Sequence, residues 1–120
     1  MRTHSSRAWI GHWLLAVALL HTLASALWFG PTLQAMWQQG LFNTVGADAL
    51  RGAVSWFVLF GVLLALLAMA ITPLERAGQA PALRRLGWGT MALTALGLLL
   101  MPLSGFWLAL PAALALLRKR

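Results

Sequence analysis

Three histidines and two acids are the residues of this 120-residue chain whose types could do chemistry. His21 stands out, because it is the ionisable side chain set well inside an apolar stretch. Intramembrane ionisable groups mark functional sites by default. An imidazole there can ligate a haem or a metal, relay a proton, or hold a quinone carbonyl. It can equally hydrogen-bond a neighbouring helix, for instance through a Ser or Thr hydroxyl. Both readings stand at this point, and His21 is the candidate cofactor-binding residue. No catalytic residue and no metal site is assigned.

The other histidines do not complete a site with it. His12 and His21 are nine residues apart, which places them on opposite helix faces about 13 Å apart along the axis. His4 lies in the tail before the first apolar run. A bis-histidine haem within one chain is therefore disfavoured. Two copies of His21 across a dimer, or Met69, Met91 or Met101 as an axial partner, would be needed instead. His12, beside Gly11 and Trp13, reads as an interfacial anchor. Asp48 and Arg51, three residues apart, read as a helix cap with a local ion pair. Glu75 reads as the third helical residue of a capping box, Thr72-Pro73-Leu74-Glu75. The two acids fall on opposite sides, so no carboxylate pair is available for acid–base work. The chain has no cysteine, which removes disulfides, thiolate metal sites and cysteine nucleophiles. No Gly-rich phosphate loop or nucleophile elbow occurs either.

The elements that must position His21 are apolar helices. Hydrophobic residues make up 61% of the chain and charged residues 9%, against roughly 25% charged in soluble domains. So little charge cannot cover a soluble surface, and lipid is the matching solvent. The expected class is all-α, a transmembrane four-helix bundle in one domain of residues 1–120. The spans expected are 8–29, 52–72, 86–101 and 103–117, with a short interfacial helix after Gly30-Pro31. The first is 22 residues, about 33 Å as a helix, enough for a hydrocarbon core of about 30 Å. Ala24-Ser25-Ala26 has the small-residue pattern of a signal cleavage site. The apolar run nevertheless continues through Leu27, Trp28 and Phe29, so it is read as a span. Asp48 caps the second, and no acid falls inside any span. The last two arms flank Pro102, Ser104 and Gly105 as a tight hairpin, because one helix over 86–117 would reach about 48 Å. Pro111 should kink the final arm by freeing the carbonyl of Trp107.

Charge placement gives orientation. Arg2, Arg7, Arg76, Arg84, Arg85, Arg118, Lys119 and Arg120 fall on one side, and only Arg51 on the other. The positive-inside rule puts both termini in the cytoplasm and suits an even number of spans. The seven tryptophans cluster near span ends, as interfacial belts do. This pattern argues against nucleic acid as a partner, although the net charge is +7. Helix association in lipid needs close packing. Gly87, Thr90, Thr94 and Gly97 supply one face of small residues, His21 shares a face with Ala18 and Ser25, and Gly52, Ser55 and Gly61 are less regular. Such faces serve either the bundle itself or a second subunit.

The order of features is also familiar. Gly11-His12-Trp13-Leu14, His21, Phe29-Gly30-Pro31, Phe42-Asn43, Trp56-Phe57 and Phe60-Gly61 are followed by Gly87-Trp88-Gly89. The series closes on Met101-Pro102-Leu103-Ser104-Gly105-Phe106-Trp107. Over nearly the whole chain this resembles a family of small bacterial four-span membrane proteins of unknown function. The resemblance implies a bacterial inner-membrane location and brings no catalytic residue. The four-helix organisation is also broadly similar to that of DoxX-like proteins, a fold analogy that supports no activity. Size and span count match the small multidrug resistance family too, but its first-helix glutamate is missing here. The leading expectation is a non-enzymatic membrane protein without a cofactor, acting with lipid, copies of itself or a membrane-protein partner. The alternatives are a haem- or quinone-binding redox protein using His21 and a small-solute transporter. The last would need a polar cavity around His21, Ser25, Thr90 and Thr94.

Overall fold

A computed structural model describes residues 8–120, and these form helices without a strand. The expected Arg2, His4 and Arg7 roles lie outside the described residues. Helix α1 runs Trp9–Gln38, α2 Ala49–Arg76, α3 Ala80–Leu100 and α4 Leu110–Leu117, the last preceded by a 3-10 turn, Gly105–Ala109. The all-α class with four helices holds.

Several boundaries differ from those expected, each for a backbone reason. The helix does not stop at Gly30-Pro31. It kinks, with Phe29 at φ −120° and ψ 16°, and continues to Gln38. The expected separate interfacial helix is therefore the bent end of α1. Gly40, at φ +90°, ends it. Helix α2 likewise runs through Pro73 to Arg76, so Thr72 opens no new helix. Its hydroxyl donates back to the carbonyl of Ala68, at 3.2 Å. Glu75 therefore lies in the last turn of α2 and not at the start of a separate turn. Gly78, at φ +64°, then turns the chain. Helix α3 starts at Ala80, earlier than the expected 86, because Pro81 fits its first turn.

The last arm is not one kinked α-helix. Pro111 has no N–H to give Trp107, and the N–H of Leu110 bonds that carbonyl instead. An i to i+3 bond is the 3-10 closure. Pro111 thus begins the α-helix, and the 3-10 turn precedes it. The apolar stretch Gly105–Leu117 is shorter than a membrane span.

Helix α1 packs along α2, and α3 packs along the 3-10 turn and α4. The two pairs meet at one end, in a core of Ile10, Leu14, Ala68, Ile71, Leu83, Ala112 and Leu116. The small-residue face of α3 is spent inside the chain. A Cβ on Gly87 would sit 2.9 Å from both the Leu116 side chain and the Leu117 nitrogen, and one on Gly97 would enter the Phe106 ring. The molecule is elongated, 59 × 29 × 21 Å.

Candidate functional site

His21 is partly buried on the face of α1 that meets α2. Its Nε2 lies 2.6 Å from the main-chain oxygen of Phe57. A carbonyl oxygen can only accept, so Nε2 carries the proton and donates. The ring stacks on Phe57, with centroids 3.8 Å apart and planes 20° apart. Phe60 tilts against it at 5.4 Å. Gly61 makes this possible, since a Cβ there would stand 3.0 Å from His21 Cδ2 and 3.1 Å from Thr22 Oγ1. The bare glycine lets imidazole reach a carbonyl one turn earlier on α2.

His21 thus brackets two helices through a main-chain acceptor, where the sequence suggested a hydroxyl. A ligand seeking the Nε2 lone pair would have to break this bond and shift the tautomer. The residues expected to join it in a polar cavity are placed differently. Ser25 bonds the carbonyl of its own His21, at 3.0 Å. Thr90 and Thr94 bond the carbonyls of Leu86 and Thr90, both at 2.7 Å. All three hydroxyls are turned back onto their own helices, and the threonines sit on the α3 face that carries Gly87 and Gly97, packed on α4 and the 3-10 turn.

A second polar centre was not legible as such. Glu75 has no solvent exposure. Its Oε1 accepts from the Gly11 N–H, at 2.8 Å, and its Oε2 lies 3.6 Å from Lys119 Nζ. Gly11 is in the first turn of α1, whose own cap residue, Ala8, contributes no side-chain bond. Glu75 therefore caps α1 from the end of α2, where the helix dipole favours a negative charge. Gly11 is bare for the same reason Gly61 is: a Cβ would enter Thr72 Oγ1 and stand 2.9 Å from the Ala68 oxygen. Arg84 donates to the carbonyl of Lys119, at 2.9 Å, so α3 joins the same knot. The sequence signal was there in part: α1 starts without a capping side chain at Ala8, while the local Thr72-Pro73-Leu74-Glu75 pattern pointed Glu75 to a different cap.

At the far end Asp48 accepts from the Arg51 N–H at 3.1 Å and pairs with its guanidinium at 3.9 Å, as expected. Arg51 also donates to Gln39 Oε1 at 2.9 Å and to the Thr44 oxygen at 2.8 Å, tying down the 39–47 loop. His12 and Trp13 are exposed on α1. The Trp13 indole donates to the Leu108 oxygen, at 2.7 Å, joining α1 to the 3-10 turn. Among the described residues no group of three His, Asp or Glu is placed to hold a metal ion.

A family model matches residues 5–120, and the chain belongs to that family, a family of unknown function (DUF6463). No curated protein and no solved structure matches it.

Proposed function

We propose that this DUF6463 protein is a multi-pass protein of the bacterial inner membrane with no catalytic centre of its own, working as an oligomer or as an accessory subunit of a membrane complex. The observation that carries this reading is the surface of α1 and α2. Each holds an apolar window long enough to cross a bilayer, yet only 22% of that window is buried. Core helices of soluble proteins are mostly buried. Here Leu19, Leu23, Leu27, Trp28 and Trp56 face outward, and contiguous apolar surface on that scale calls for lipid or protein.

The proposed topology has four spans, with α3 and the 3-10 turn plus α4 as the shorter pair. The broad likeness to DoxX-like proteins extends to that four-helix organisation alone. Thinning of the bilayer and snorkelling of the basic ends would accommodate the short arm. Arg84, Lys119 and Glu75 meet at the end where α1 begins, and the basic residues near them support a cytoplasmic assignment for that end. The bonded Nε2 of His21 supports a structural role for it, and its redox or transport roles are the weaker readings.

The chain has no cysteine, so single cysteines report topology cleanly. In intact cells F42C should react with a membrane-impermeant maleimide, and Q79C should react only after the membrane is opened. The reverse pattern, or release of the protein by alkaline carbonate, would sink the topology. A native mass spectrum showing whole multiples of the chain, or an added polypeptide, supports the subunit reading. Robust turnover or transport by the purified chain in proteoliposomes overturns it.

A further inference from the structure

Helix α4 turns Ala112, Ala113 and Leu116 to the core. Pro111, Leu114, Ala115 and Arg118 follow one another at i, i+3, i+4 and i+7, which makes them a separate stripe on the same helix. Trp9, in the first turn of α1, faces that stripe, and Lys119 closes its end. Together they line an open groove of about 480 Å³. Its wall is apolar along α4, and its mouth carries two cations.

The charge at this mouth is net positive: two cations against the one acid, Glu75, that Lys119 pairs with. The chain has two acids. Asp48 sits at the opposite end of α2, and Glu75 is buried beneath Lys119. Arg118 is exposed. An indole, a short aliphatic wall and basic groups at one level are the three contacts a phospholipid offers partners for: glycerol region, acyl chain and phosphate.

We infer that this groove holds one anionic phospholipid, with its phosphodiester against Arg118 and Lys119 and an acyl chain along Leu114, Ala115 and Pro111 beside Trp9. The inference rests on the membrane reading above. A free anion would leave the apolar wall uncovered, and a zwitterionic lipid would bring an ammonium group toward the cations.

Native mass spectrometry of the full chain in mild detergent, titrated with phosphatidylglycerol or phosphatidylcholine, tests it. The wild type should retain phosphatidylglycerol in preference. R118Q should lower that preference roughly fivefold, the effect of about one basic residue at a lipid surface. Arg118 is the residue to change because Lys119 also serves Glu75. R85Q, exposed on α3 and outside the groove, should leave the preference unchanged. Glycerophosphoglycerol, the headgroup without chains, should not displace the lipid. Equal retention of the two lipids, an unaltered R118Q, or displacement by the bare headgroup overturns the assignment. Alkaline extraction separates the two failures: a protein released from membranes sinks the membrane reading, and one that stays in yet retains both lipids equally sinks the groove alone.

Discussion

His21 donates through Nε2 to the Phe57 carbonyl, and its Nδ1 keeps the lone pair. H21F keeps the stack on Phe57 and removes the donor. Interhelical bonds of this kind average about 0.6 kcal/mol and reach about 2. H21F should therefore lose stability of that order in a detergent unfolding titration, with no change in the visible spectrum of the purified protein. Loss of an absorption band would mean that a cofactor had been there. Glu75 carries more. E75A leaves the Gly11 N–H buried without its acceptor, at about 1–3 kcal/mol, and strips Lys119 of its charge partner. E75Q keeps an oxygen for Gly11, so it should unfold between E75A and the wild type in the same titration. His21 was singled out by its place in an apolar run, but its partner was not legible. A main-chain carbonyl leaves no mark in a sequence except the glycine that exposes it. Glu75 was misassigned because the Thr-Pro-x-Glu pattern is local, whereas the helix end it caps is 64 residues away.

Prolines decide where elements bend or change type, and they do so by withholding one donor each. At Pro31 the chain absorbs the loss in a kink at Phe29, and at Pro111 it shifts to 3-10 pairing through Leu110. P111A returns an N–H to the Trp107 carbonyl. Residues 105–109 should then convert to α-helix, and the new amide should exchange slowly in hydrogen-exchange mass spectrometry. Fast exchange there would show that something other than the missing donor holds the turn. Sequence patterns placed Asp48 correctly as a start, since an aspartate cap acts within a few residues. They placed Pro31 and Pro73 as boundaries where the structure continues. Packing on a partner helix outweighs the one bond lost, and that packing lies outside the local window.

At the scale of the molecule, the two pairs were legible from charge placement and apolar run lengths. The shortness of the last pair was expected as well, but not the 3-10 segment that precedes α4. One feature of the longer pair sets a rule for its length. Gly11 faces Thr72 and Ala68, and Gly61 faces His21 and Thr22. The step from Gly11 to His21 is ten residues on α1, and that from Gly61 to Thr72 is eleven on α2. At 1.5 Å rise these are about 15 and 16 Å, so the arms advance together. Each bare glycine accepts only the side chain opposite it. One added residue between these two points, on either arm, advances everything beyond it by about 1.5 Å and rotates it by about 100°, so both pairings cannot be kept. An alanine inserted after Val17 or Leu66 should therefore abolish the folded yield in detergent. The same insertion after Asn43, in the exposed connection, should leave it nearly unchanged. The hairpin thus behaves as a vernier, its arms free to change in composition but not in count, and length variation is confined to the bend that joins them.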